Sequence, residues 1–257
     1  MDKRELPIGV IDSGLGGISV LRACVDLLPN ENFLFFGDSA NAPYGEKSLA
    51  QVRALTVSCV DRLLRQGVKA IVVACNTATS AAITLLRQTH PELPIIGIEP
   101  AVKPAALAHD SSSVLVMATP LTIHQEKYQQ LAASYQDQAN LISLPCKGLA
   151  EMVEAGMLDC PELDHYLEEL LLPVRFCNVE YIVLGCTHYP FVRKAIRRAF
   201  GRPVEIIDGS GGTSRQLKRQ LQKADLLSTR TVPGTVLFQN SLPAKIRASE
   251  ALFHLDY

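Results

Sequence analysis

The sequence predicts an α/β fold built on parallel sheets, and three observations carry that reading. Short apolar runs alternate with longer amphipathic stretches along the chain, the pattern of strands joined by crossover helices. Two of those runs echo each other, each a buried strand closing on a cysteine and two polar residues: Ile71-Val-Val-Ala-Cys75-Asn-Thr77 and Ile182-Val-Leu-Gly-Cys186-Thr-His188. Finally, 257 residues of which 47% are hydrophobic suffice to fill one large core or two ordinary ones.

Taken in order, strands are expected over residues 8–12, 32–36, 70–74, 95–98, 114–118, 141–144, 181–185 and 204–207. Between Ser48 and Gln66, Val52, Leu55, Cys59 and Leu63 fall at helical spacing, and Gly67 supplies a stop. The Asp12-Ser13-Gly14-Leu15-Gly16-Gly17 turn follows the first strand and opens a helix. Pro190 stands where another helix should begin, after the strand ending at Gly185. Residues 242–257 read as a closing helix and tail.

A formal net charge of −1 gives neither nucleic acid nor an anionic membrane surface an electrostatic hold. The densest basic group, Arg193-Lys194 with Arg197-Arg198, reads as the solvated face of one helix. The start, MDKRELPIGVIDSG, enters a strand without an apolar run of signal-peptide length, and no stretch of about 18 apolar residues occurs. A cytoplasmic protein is expected. Its 7 cysteines are widely spaced and form no C-x-x-C pair, so no metal site and no redox motif is expected.

In a reducing compartment each cysteine is by default a small buried hydrophobe. Cys75 and Cys186 depart from that default. Each closes a strand and precedes a helix, with Asn76 or Thr77 as the cap of the first. The positive end of a helix dipole favours a thiolate, and a drop of about 1.5 units from roughly 8.5 makes a thiol a competent base at neutral pH. Ligands in parallel α/β folds bind at the carboxyl ends of strands, where both cysteines fall. Two similar halves facing each other would place them on opposite walls of one cleft.

His188, two residues after Cys186, can exchange a proton with a thiol or meet a substrate carboxylate. His90, His109, His124, His165 and His254 have no comparable setting. The glycine-rich turn after Asp12 is neither a Walker loop nor G-x-G-x-x-G, though its backbone can bind an anion. Asp12 itself can recognise an ammonium group or assist a base. Gly37-Asp38 with Pro43-Tyr44-Gly45 forms a polar loop offering backbone N–H groups and a phenol. Thr119 and Thr122 repeat that arrangement after the fifth strand, and Glu154 lies on a helix.

The set DSGLGG, PYG, ACNTA, ATPLT, LGCTHYP and IIDGSG, in this order, closely resembles the glutamate racemases of the aspartate/glutamate racemase superfamily. The resemblance runs from Ile8 to about Gly212. It implies two pseudo-symmetric flavodoxin-like domains, each a mostly parallel sheet flanked by helices, with the active site in the cleft between them. Residues 1–97 with 208–257 would form the first domain and residues 98–207 the second, inserted one. Cys75 and Cys186 would be the two acid/base thiols, acting on D- and L-glutamate respectively, with Asp12 and His188 as their assistants.

The same resemblance assigns Ser13, Pro43, Tyr44, Gly45, Asn76, Thr77, Thr119, Thr122 and Thr187 to the substrate's amino and carboxylate groups, alongside Asp12 and His188. Many relatives carry C-P-x-F-V-P-L-V-E where this chain reads Cys146-Lys-Gly-Leu-Ala-Glu-Met-Val-Glu154, so Glu154 matches the family's third catalytic carboxylate across a changed segment. No cofactor is implied, and glutamate is the expected partner, converted to the D form for peptidoglycan. Homodimers are among the expected assemblies, with geometry that varies in the family. Some relatives carry an N-terminal extension and respond to a peptidoglycan precursor; few residues precede the first strand here, and that regulation is not carried over.

Two other functions compete. Aspartate racemases of the superfamily resemble G-C-T-E where this chain has Gly185-Cys186-Thr187-His188, and they lack DSG-x-GG. A ligand-binding protein on the same fold would need no second thiol.

Overall fold

The computed structural model describes residues 2–108 and 112–257; His109 lies outside the described residues. The chain divides into two compact units. One takes the residues up to Glu99 together with Ser210–Leu255, and the other takes Pro100–Gly209 with Asp256–Tyr257.

Among the described residues there are nine strands: β1 (Ile8–Asp12), β2 (Phe33–Gly37), β3 (Ala70–Val73), β4 (Ile95–Gly97), β5 (Ser112–Ala118), β6 (Ala139–Pro145), β7 (Tyr181–Leu184), β8 (Glu205–Asp208) and β9 (Val236–Asn240). The first unit orders its sheet β4-β3-β1-β2-β9, and the second orders its sheet β6-β5-β7-β8. Every pairing is parallel. In β1, β2 and β3 every residue is buried, as helices covering both faces of a parallel sheet require. Val10, Phe35 and Val72 are fully buried at its centre, each worth roughly 1.5–3 kcal/mol over an exposed side chain. Val114, Val116 and Val183 do the same for the second unit, with Ala105 and Tyr128 packed against them.

The two sheets share one winding. Numbered within its own unit, each places four strands in the order second, first, third, fourth; β9 is an extra edge strand in the first unit. The order reverses between the first and third strands, and ligands bind at the carboxyl ends beside that reversal. Asp12 ends β1 and Cys75 follows β3; Thr119 follows β5 and Cys186 follows β7. The sequence echo is therefore a topological one.

Local signals explain the elements that frame these sites. The helix Leu49–Leu64 opens on a capping box, Ser48 bonded to the Gln51 backbone and Gln51 back to Ser48, and the chain turns away at Gly67 with φ +78°. Pro190 opens a 3₁₀ turn, Tyr189–Val192, and only then does the helix Arg193–Phe200 begin. On that helix Arg193 is only part exposed and pairs with Asp208, while Lys194, Arg197 and Arg198 face solvent. Strand β9 was not expected from its sequence. Its Val-Leu-Phe-Gln-Asn run is short and ends polar, and Leu237 is 58% exposed, so it is fixed by pairing with β2 and not by its own pattern.

Away from the sites, a buried Lys69–Glu31 ion pair ties the first unit together; Lys69 also meets the Arg4 carbonyl, and Glu31 accepts from Ser228 N–H at 2.8 Å. In the second unit Tyr257 packs edge-on against Phe191, which anchors the final residues there. Among the described residues no helix is long and apolar enough to cross a membrane.

Candidate active site

In the first unit the site is built on the ends of β1, β2 and β3. Cys75 itself is the N-cap of the helix Asn76–Thr89: its Sγ accepts from Ala78 N–H at 3.4 Å. The cap was expected at Asn76 or Thr77, but the extended backbone of Cys75 (φ −122°, ψ 123°) already places the sulfur over the first turn. The same Sγ lies 3.6 Å from Ser13 Oγ, with the thiol donating. Beside it, Asp12 is buried and its Oδ2 accepts from Gly14 N–H at 2.8 Å. Gly17 permits this packing, because a Cβ there would stand 2.6 Å from Asp12 Cβ and 3.1 Å from Ala74 Cβ.

Asn76 is 4% exposed, and neither its amide nitrogen nor its carbonyl oxygen has a partner. Such a group is costly to bury unsatisfied, so it marks a place where a polar ligand would be held. Thr77 is buried next to it. The Pro43-Tyr44-Gly45 loop is present, but the Tyr44 phenol is directed inward. It donates to Asp38 Oδ2 at 2.8 Å and lies 3.8 Å from Cys59 Sγ. Burial, the neighbouring Cys59 sulfur and the Asp38 carboxylate raise the phenol's pKa, so it stays protonated.

In the second unit the site is a chain of three groups. Cys186 Sγ lies 3.6 Å from His188 Nδ1, and His188 Nε2 lies 2.7 Å from Glu154 Oε1. Glu154 ends the helix Leu149–Glu154 and reaches the imidazole from there. Burial alone would lower the imidazole's pKa, but its hydrogen bonds to Cys186 and Glu154 and their charges raise it well above 6.5. The imidazolium beside Cys186 can give its proton to the sulfur or hold a thiolate by charge. Thr119 caps a short helix, accepting from Thr122 N–H at 3.2 Å, and the two hydroxyls lie 2.9 Å apart. Thr187 is buried beside Cys186. Cys146 is buried too, its thiol pKa pushed up by burial and by the neighbouring charge of Cys186.

The raised imidazole pKa has a sign that can be tested. A proton bound more tightly in the folded state stabilises it fully below about 6.5, where the folded and unfolded imidazoles are both charged. That contribution is lost as pH rises through the higher folded value. The stability gap between wild type and His188→Asn, measured by denaturant unfolding, should shrink as pH rises above about 6.5. A gap that widens with pH would reverse the assignment.

Sequence reading located both cysteines, Asp12, His188 and the threonines, and the structure brings them to strand ends within their own units. It placed Asp38 in the polar loop but gave its carboxylate no role, whereas that carboxylate holds Asn41 and Tyr44. Nor did it pair Glu154 with His188, because 34 residues separate them in sequence.

Each unit thus sets a buried thiol after its third strand, beside the Ser13 hydroxyl in the first and the His188 imidazole in the second, which is the class of an acid–base enzyme. The sequence profile of the Asp/Glu/Hydantoin racemase family matches residues 8–211. The chain belongs to that family. It is 49% identical over 242 residues to a glutamate racemase of Clostridium novyi, covering 94% of this chain and 93% of that one. A glutamate racemase from Francisella tularensis, solved in complex with D-glutamate, superimposes with a TM-score of 0.84 at 30% identity, covering 97% of this chain and 94% of the other. The Escherichia coli glutamate racemase, solved with L-glutamate and an activator, UDP-MurNAc-Ala, gives 0.83 at 26% identity over 96% and 95%.

Proposed function

We propose that the protein interconverts L- and D-glutamate by passing the α-proton between two thiols, Cys75 and Cys186, and so supplies D-glutamate for peptidoglycan. The carrying observation is that two buried thiols occupy equivalent strand ends, Cys75 beside the Ser13 hydroxyl and Cys186 beside the His188 imidazole. One sulfur, as thiolate, takes the α-proton and becomes a thiol; the other, as thiol, returns a proton to the opposite face and becomes a thiolate. Glutamate racemases crystallised with D-glutamate and with L-glutamate support the choice of substrate.

The remaining residues take the roles that the family resemblance implies. Asp12 assists Cys75, and His188, held by Glu154, assists Cys186. The unpaired Asn76 amide, with Ser13, Thr77, Thr119, Thr122, Thr187 and the backbone of Pro43-Tyr44-Gly45, holds the carboxylates and the ammonium. Positioned acids and bases supply about 10²–10⁴-fold each, so the rest must come from fixed donors stabilising the carbanion in a site that excludes water. No cofactor is part of this reading. An aspartate racemase is disfavoured because the Cys186 partner is His188, bridged to Glu154, where those enzymes carry a glutamate.

Circular dichroism of the purified protein with L-glutamate, D-glutamate or L-aspartate tests the proposal. Ellipticity should decay to zero from either glutamate enantiomer, with or without chelator or pyridoxal phosphate, and aspartate should change little. Equal or faster turnover of aspartate would overturn the substrate, and loss of activity on chelation would overturn the cofactor-free chemistry.

A further inference from the structure

Asp38 has no assigned role, yet its surroundings are those of a fixed strut. It follows β2 directly and is 4% exposed. Its carboxylate accepts from the Tyr44 hydroxyl at 2.8 Å, and Asn41 Nδ2 donates to both of its oxygens at 3.1 Å. Its own backbone N–H donates to the Asp12 carbonyl at 3.0 Å. The preceding Gly37 lets the two loops close on each other, since a Cβ there would stand 2.4 Å from the Gly14 oxygen. One residue thus ties the loop carrying Pro43, Tyr44 and Gly45 to the loop carrying Asp12 and Ser13, and Ser13 Oγ lies 3.6 Å from Cys75 Sγ.

The groups around the carboxylate are suited to that work and not to proton exchange. Burial and the Asp38 charge push the Cys59 thiol up to about 12 and raise the Tyr44 phenol further, so both remain neutral donors near neutral pH. The phenol is committed to Asp38, which leaves the main chain of the 43–45 loop to meet a ligand.

We propose that Asp38 is a positioning residue for the Cys75 side of the site, acting through Tyr44 and Asn41 to set the loop that receives the substrate. This rests on the two-thiol racemase reading given above. Charge-assisted hydrogen bonds hold a loop more tightly than neutral ones, and an asparagine at this place would present an N–H where Tyr44 or Asn41 now finds an acceptor. Loss of the strut should therefore weaken substrate binding while leaving both thiols in place.

Kinetics of Asp38→Asn, Tyr44→Phe and the double variant, in both directions, test this. KM should rise about tenfold in each single variant, the size expected for losing a hydrogen bond to a charged acceptor. Values of kcat should stay within about threefold, and the double variant should be no worse than Asp38→Asn alone. A fall in kcat at unchanged KM, or additive losses, would overturn the proposal, because a purely structural residue lowers the active fraction without changing KM.

A second measurement does not depend on the substrate's identity. In the substrate-free full-length protein, iodoacetamide alkylation of each cysteine is followed by peptide mass spectrometry. Loosening the loop should speed alkylation of Cys75, 6% exposed in the wild type, at least about threefold relative to Cys186, which serves as the internal reference. If the wild type proves inactive on glutamate, the functional reading fails and this ratio alone decides the role of Asp38. An unchanged ratio would overturn it.

Discussion

Cys75→Ser and Cys186→Ser are each expected to lower glutamate racemisation in both directions by roughly 10³-fold or more, the scale of losing a positioned acid or base. Each direction uses both sulfurs, one to take the proton and one to return it, so neither substitution can spare one enantiomer. Serine nearly preserves the volume at these buried strand ends, and its oxygen can still accept from Ala78 N–H in place of Cys75 Sγ. Its hydroxyl is a far weaker acid than a thiol, so the thiolate's role is lost while the fold is kept. Initial rates by circular dichroism, with unfolding curves as the control for folding, check this. A residual rate within tenfold of wild type in either variant would end the two-thiol mechanism, because a single base would then suffice.

The parts of this protein that read clearly from sequence are those whose local pattern and tertiary role coincide. Strands β1, β3 and β7 are buried on both faces, so their apolar runs stand out, and Cys75 after β3 and Cys186 after β7 mark the carboxyl ends where a parallel sheet binds ligands. The capping box at Ser48 and Gln51 and the glycine stop at Gly67 are equally local. What stayed hidden depends on contacts between distant segments. Strand β9 exists because β2 offers it a parallel edge, and its own five residues carry little signal. The His188–Glu154 contact joins a helix end to a strand end across a fold that spacing alone does not reveal. Tyr44 was legible as a residue of the polar loop, but the direction of its phenol was not, because Asp38 and Cys59 decide it.

The assistants should separate the two sides of the reaction where the cysteines cannot. Asp12→Asn and His188→Asn leave both thiols present and are each expected to lower kcat/KM by about 10²-fold, the lower end for a positioned acid–base group. The two enantiomers have equal energy in solution, so the ratio of kcat/KM in the two directions stays near unity in every variant. The asymmetry must therefore appear in which proton transfer limits the rate. Asp12 ends the strand paired with the one that Cys75 follows, its carboxylate fixed by Gly14 N–H, whereas His188 lies between Cys186 and Glu154. If Cys75 takes the proton from D-glutamate and Cys186 takes it from L-glutamate, weakening one assistant slows one abstraction and leaves the other closer to wild type. With α-deuterated substrates, Asp12→Asn should raise the primary isotope effect mainly for D-glutamate, and His188→Asn mainly for L-glutamate. Glu154→Gln should follow His188→Asn in direction with a smaller effect, because it removes the charge that holds the imidazolium and leaves the ring in place. Identical changes for both enantiomers in the Asp12 and His188 variants would refute one assistant per thiol, and the two-thiol exchange would then need a different source of asymmetry.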